Sequence, residues 1–193
     1  MQLDDTLALA ADLSRRLRFG GRRMRLILVG SARRGEPRNT DIDFLVVPKR
    51  PLGTAERAAL FHDVSFANAN ANANAKHAEI ARRASSSLPE GARRRSLDIM
   101  WPRGAAEPRR RVQVDLFFVQ PNELPFALFH YTGSREYNIR TRAHAKARGW
   151  RLNQYGLFDA GGRRVRGSAA LRTERELAAL LGVSYRAPAD REK

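Results

Sequence analysis

Two short stretches constrain this chain more than anything else in it: DIDFLVV at 41–47 and VQVDLFFV at 112–119. Both are dominated by β-branched, aromatic and other apolar residues, the composition of strands. Side chains two apart in a strand share a face. Asp41 and Asp43 therefore point one way, and Ile42 and Phe44 point into a core. In the second stretch Val112, Val114, Leu116 and Phe118 form an apolar side, with Asp115 opposite. If the strands are neighbours, three carboxylates converge on one solvent-facing spot. Left uncompensated, that arrangement raises the pKa of at least one of them. Two divalent cations relieve it, because hard oxygen ligands suit Mg²⁺ or Mn²⁺. Taken alone, D-x-D on a strand is more often a solvated edge or a turn cap, so its surroundings decide its meaning.

Residues 3–18 predict a helix with Leu3, Leu7, Ala10 and Leu17 on one face, Asp4 and Asp5 in its first turn, and Gly20-Gly21 ending it. Arg25 to Val29 reads as a strand running into Gly30-Ser31. Leu97 to Trp101 reads as another, separated from 112–119 by a Pro/Gly/Arg-rich loop. Thr54 is placed to cap a helix through Ala58, Ala59 and Phe61. The Ala-Asn alternation near 67–75 has no period that buries a face and reads as a low-complexity insertion without chemistry. Beyond Pro121 the pattern changes. A basic helical stretch spans 134–148 and ends at Gly149. WRLNQYGLFDAGGRRV then predicts a hairpin turning at Gly-Gly, and Thr173 with Glu176 forms a capping box. The change places a boundary near 120, between a domain at 1–120 and a smaller one at 121–193.

Charge narrows the partner. Among 193 residues, Lys plus Arg number 36 against 20 acids, a net charge of +16. Such an excess points to a polyanion, nucleic acid first and an anionic membrane surface second; Arg-rich codon usage is the bland alternative. Hydrophobic residues make up 42%, enough for a real interior. There is no apolar run of about 18 residues to span a membrane. The N-terminus, acidic before basic and without a small-residue cleavage site, does not read as a signal peptide. Cysteine is absent, which excludes disulfides and thiolate metal sites and fits a reducing compartment. The expectation is a soluble, non-secreted monomer in a cytoplasmic, nucleoid or viral setting. His62, His77 and His144 show no pairing that suggests a metal site, and Trp150 and Tyr155 read as packing residues.

Upstream of the D-x-D stands Gly30-Ser31, in GSARRGEPRNTDID. A Gly-Ser entry into a helix exposes backbone N–H groups and a hydroxyl, an anion nest to which Arg34 adds a bidentate contact. Gly-Ser after a strand is also an ordinary turn. Together with the arginine, the D-x-D and a later aspartate, it points to a nucleotidyltransferase.

These motifs resemble the X family of DNA polymerases, the family of DNA polymerase beta. GSARRGEPRNTDIDFLVV resembles its palm signature and VQVDLFFV the strand of its third aspartate. HYTGSREYNIRTRAHAKARGWRLNQYGLF resembles its thumb-side motif, and TERELAALLGVSYRAPADRE its C-terminal end. The resemblance covers roughly 25–60 and 95–193. It implies an α+β fold, with a nucleotidyltransferase-type palm of mixed sheet and helices at 1–120 and a small α/β thumb, the nascent base-pair binding subdomain, at 121–193. Asp41, Asp43 and Asp115 would be catalytic and metal-ligating, with Asp115 nearest the primer 3′-hydroxyl. Ser31 and Arg34 would hold the β- and γ-phosphates, with Gly30 allowing close approach. Tyr131, Thr132 and Gly133 would lie against the incoming sugar and Asn138 at the base's minor-groove edge. Arg142, Arg140 and His130 would face the DNA. His130 stands where the family usually has Tyr, either contacting the primer or sugar edge or serving a structural role.

The implied reaction is templated addition of a deoxynucleotide to a primer end, filling short gaps in repair. Its partners would be gapped or primer-template DNA and dNTPs, and its cofactors two Mg²⁺ ions, with Mn²⁺ possible. The alternatives are a template-independent terminal transferase or another small nucleotidyltransferase, and a non-catalytic DNA-binding relic. Departures from the pattern are Ala32, Asn39-Thr40, and Gln113 in place of an arginine, the last removing a charge from the primer side. No fingers or lyase domain is expected before Met1. DNA grip would then fall to clusters such as Arg15–Arg25, Arg93–Arg95 and Arg109–Arg111, which equally read as solvated surface.

Overall fold

The protein was analysed as a computed structural model, which describes residues 1–66, 79–81, 93–101 and 110–191. The Ala-Asn stretch, the Pro/Gly/Arg-rich loop, His77 and Arg109 lie outside them. In chain order the elements are α1 (Leu3–Arg16), β1 (Leu17–Phe19), β2 (Arg25–Val29), α2 (Gly30–Arg34), β3 (Asp41–Val47), α3 (Thr54–His62), β4 (Val64–Phe66), β5 (Glu79–Ala81), β6 (Arg94–Trp101) and β7 (Arg110–Phe118). After them come α4 (Leu124–Thr132), α5 (Arg135–Ala147), β8 (Arg151–Asn153), β9 (Gly156–Phe158) and α6 (Glu174–Leu181). The fold is α+β. Strands β2-β3-β7-β6-β5 form one sheet in that order, with β3 and β7 parallel and the other pairs antiparallel.

Alternation decides which face is buried. Ile42, Phe44 and Val46 join Val112, Val114, Leu116 and Phe118 on one face, packed against Leu9 and Leu13 of α1, Leu17 and Phe19 of β1, and Phe61 of α3. On the other face Leu45 and Val47 pack with Val29, Val119 and Ala127 of α4. Helix α4 therefore covers one end of that face, while the end carrying Asp41 and Asp43 stays partly open. A separate core joins Phe126 and Phe129 of α4 to Tyr137 and Ala145 of α5, Leu152 and Leu157 of the β8–β9 pair, and Leu177, Ala178 and Leu181 of α6. Helix α4 thus serves two cores at once, which ties the second half of the chain to the sheet.

Four local expectations need correction. The buried stripe of α1 is Thr6, Leu9, Ala10 and Leu13, while Leu7 is 42% exposed. Both stripes fit the helical period; the buried one can accept Thr6 because its hydroxyl bonds the Gln2 carbonyl. The helix also stops at Arg16, and Leu17–Phe19 pairs with β4 before Gly20 is reached. Thr54 is the first helical residue, not a cap: the N-cap is Gly53, with no side-chain cap bond. The β8–β9 hairpin turns at Asn153–Gly156, where Asn153 Oδ1 accepts the N–H of Tyr155 and Gly156 at 2.9 and 3.1 Å. An Asn side chain that mimics a turn carbonyl wins over the Gly-Gly pair. Gly161-Gly162 makes the next turn, with Gly162 at φ 76°, and brings Arg164 back to bridge Phe158. The α6 capping box forms as predicted, Thr173 Oγ1 accepting from the Glu176 N–H. Among the described residues no helix is long and apolar enough to cross a membrane.

Candidate active site

Parallel pairing of β3 and β7 sets Asp43 abreast of Asp115, with Asp41 two residues back on the same face. A ligand oxygen from each of the three lies within 4.8 Å of the others. Asp41 and Asp43 are half-buried, but Asp115 is only 3% exposed, not solvent-facing as the alternation predicts. The reason is β6, which starts at Arg94, three residues earlier than the sequence suggests, and sets Ser96 opposite Asp115. Ser96 Oγ donates to Asp115 Oδ1. Arg94 donates to Oδ2 at 2.8 Å, and Gln113 Nε2 to the same oxygen at 3.2 Å.

Charge is concentrated here. Burial first, then the Asp41 and Asp115 carboxylates, push Asp43 up from 3.8 to about 6, against the opposing pull of Arg94 and Arg34. Three converging hard oxygens with excess negative charge make a donor set that fits a hard divalent cation. Nothing in it suits a soft one.

Gly30 opens the neighbouring loop at φ 69°, and a Cβ there would stand 2.3 Å from Asp43 Oδ2. Only glycine lets the loop pass so close to the carboxylates. Ser31 Oγ donates to Asn39 Oδ1 at 2.7 Å; Asn39 is itself buried and bonds the Glu36 carbonyl. Asn39, a departure from the family pattern, thus serves as a brace for the Ser31 hydroxyl. Arg34 donates to the Thr132 carbonyl at 2.7 Å. Arg33 reaches the Thr132 hydroxyl and, at 2.6 Å, Glu174. Thr132 is fully buried and its hydroxyl accepts from Arg33, so only its backbone is open to a ligand beside it. Glu174 is shared with Arg191, which is fully buried and also bonds the Gly133 carbonyl.

Two residues beyond Asp115 on β7, Phe117 stacks on Tyr131 with centroids 4.2 Å apart, and burial pushes the Tyr131 phenol up to about 12. Asn138 donates to the His130 carbonyl at 2.8 Å, and Arg142 lies 2.7 Å from His130 Nδ1. His130, Asn138 and Arg142 therefore converge, whereas Arg140 is exposed and takes no part. Burial, then the Arg142 charge, hold His130 down at about 4, so its imidazole is neutral at physiological pH. Several arginines expected to grip DNA are already engaged: Arg15 and Arg16 with Asp12, Arg93 with Glu123, and Arg111 with Asp98.

Sequence reasoning named Arg94 only within a basic cluster and Asn39 only as a departure from the family pattern; it missed their bonds to Asp115 and Ser31, and it missed Ser96 and the Glu174–Arg191 pair altogether. For two of these residues a signal existed. Arg94 and Ser96 alternate with the buried Leu97 and Ile99, which extends the strand backwards and puts both on the carboxylate face.

Comparison with known proteins follows the same lines. A family model for the DNA polymerase beta thumb matches residues 127–192. Repair DNA polymerase X of African swine fever virus (isolate Tick/Malawi/Lil 20-1/1983) is 32% identical over 166 residues, 86% of this chain and 80% of the viral protein. DNA polymerase lambda of Rattus norvegicus is 32% identical over 117 residues, 55% of this chain and 20% of the relative. The crystal structure of Leishmania infantum polymerase beta in its ternary P/T complex aligns over all of this chain and 77% of its own, with TM-score 0.68 and 17% identity, a likeness of fold.

Proposed function

This chain belongs to the X family of DNA polymerases, and from that premise we propose that it fills short gaps in DNA during repair, extending a primer by two-cation phosphoryl transfer at Asp41, Asp43 and Asp115. It is a DNA-directed DNA polymerase, and its chemistry depends on divalent metal. The observation that carries the reading is the cross-strand register of Asp43 and Asp115, which gathers three carboxylates beside the Gly30 loop.

The trio would hold two Mg²⁺ ions, with Mn²⁺ able to replace them. When bound, such ions lower the pKa of the primer 3′-hydroxyl and neutralise the triphosphate and the leaving pyrophosphate. The remaining work belongs to the chain's own groups. Asp115, held by Ser96, Arg94 and Gln113, presents a fixed carboxylate to the primer hydroxyl. Backbone N–H groups from Gly30 onward would bind the β- and γ-phosphates, the Ser31 hydroxyl would join them by turning its single donor away from Asn39, and Arg34 would add its charge. Tyr131 and Gly133 would border the sugar, and Thr132 would contribute through its backbone. Asn138 and Arg142 would test the minor-groove edge of the new pair on its two strands. The acceptors there occur in every Watson–Crick pair, so the contact checks geometry and not base identity. His130, neutral and bonded to both, fixes their positions. In this scheme residues 1–120 act as the palm and 121–193 as the thumb, and the enzyme works as a monomer on dNTPs and gapped or primer-template DNA.

Single-nucleotide extension on gapped and open substrates, with each template base and with Mg²⁺ or Mn²⁺, tests the proposal. Incorporation should follow the template and be faster on the gap. Incorporation indifferent to the template base would make this a terminal transferase. Full extension by Asp43→Ala would remove the trio from the chemistry.

A further inference from the structure

The sheet order β2-β3-β7-β6 divides the site into two sides. The Gly30 loop follows β2 and lies on one side of the carboxylates; Arg94 is on β6, beyond Asp115, on the other. In-line displacement requires the attacking oxygen to approach opposite the leaving pyrophosphate. With the triphosphate over the loop, the primer end must come in across β7 and β6. Among the described residues there, Arg94 is the cation bonded to Asp115.

Its geometry suits two tasks. One NH2 donates to Asp115 Oδ2 at 2.8 Å, while the Arg94 side chain is 59% exposed and that of Asp115 only 5%. A guanidinium has five N–H donors, so the rest of the fork remains available for a second anion. The group also lies over the Phe117 ring, 5.6 Å from its centroid, which restricts its wandering. Its neighbour Gln113 is neutral, and Arg111 along the same face is paired with Asp98 at 2.6 Å.

We propose that Arg94 is a primer-side positioning residue: one edge of its guanidinium aims Asp115, and the exposed edge takes the phosphate of the primer's last phosphodiester. Arrival of the strand and orientation of the carboxylate are thereby coupled through one side chain. The assignment rests on the polymerase reading given above.

Binding of primer-template DNA by the full chain, measured by fluorescence anisotropy in chelator with no metal, tests it. Two primers are compared, one with an ordinary last linkage and one with a neutral methylphosphonate there. Wild type should favour the charged primer by about fivefold, the worth of a partly exposed charge-assisted bond. In Arg94→Gln the preference should shrink below about twofold, and the slope of log affinity against log salt should fall by about one. Arg94→Met, read by the same ratio, serves if the glutamine variant does not fold. A residue that merely neutralised Asp115 would leave the ratio alone. A variant that keeps the wild-type ratio, or a wild type that shows none, overturns the assignment. Templated extension by the wild type, run in parallel, tests the polymerase reading separately; extension with an unchanged ratio sinks Arg94 alone.

Discussion

Asp43→Asn separates the cost of the acidic cluster from its use. Burial and two like charges raise Asp43 from 3.8 to about 6, a difference worth about 3 kcal/mol. A carboxyl whose folded pKa is raised holds its proton better in the native state than in the unfolded chain. The penalty is therefore absent below about pH 3.8, grows through the interval and is complete above about pH 6. The amide is nearly isosteric and cannot ionise, so it removes that penalty. In metal-free buffer at pH 8 the variant should be more stable than wild type by about 3 kcal/mol, or about 6–12 °C in Tm for a chain of this size. At pH 5 the gain should fall to about half. Calorimetric melting in chelator at the two pH values measures both. Adding Mg²⁺ should raise the wild-type Tm and leave the variant almost unmoved, while extension falls by more than about a hundredfold, beyond what loss of a supporting group costs. A variant no more stable than wild type, or a gain independent of pH, would refute the claim that burial and the neighbouring carboxylates together raise Asp43.

Other outcomes follow from the same geometry. Gly30→Ala should weaken Mn²⁺ binding in a calorimetric titration and cost about 1–2 kcal/mol from its left-handed backbone alone, because its methyl would push on Asp43. Removing Arg142 as Arg142→Ala should move the His130 titration, followed by NMR, upward from about 4, and leave it below 6.5 because burial remains the larger cause. Since His130 is depressed in the native state, it contributes stability that is present at neutral pH and lost as pH falls from about 6.5 towards 4. Glu174→Gln should lower stability in chemical denaturation by about 3–5 kcal/mol, since it strands the fully buried Arg191 guanidinium.

Much of the site was legible in one dimension. The period-two alternation of 41–47 and 112–119 placed Ile42, Phe44, Val112, Val114, Leu116 and Phe118 on one buried face correctly, because strand geometry maps spacing onto faces, but it did not find the second core that Leu45, Val47 and Val119 join on the opposite face. The α6 capping box and the Gly30 entry were equally readable, each being closed within a few residues. Where local signals competed, sequence reasoning failed. Two stripes fit the helical period in α1, and an Asn turn stood beside a Gly-Gly pair in the hairpin. Packing and a side-chain carbonyl decided them.

What sequence alone determined is which residues share a face along a strand, since backbone geometry fixes that locally; in α1 the period allowed two stripes and only packing chose between them. Tertiary structure decided which strands adjoin and in what register: Asp43 beside Asp115, Ser96 across from it, Arg94 reaching over, and Arg33 and Arg191 meeting on Glu174. Those pairings join positions far apart in the chain, and no local rule sets the order in which strands stack. The burial of Asp115, the raised pKa of Asp43 and the Arg94 guanidinium held beyond Asp115 all follow from that order.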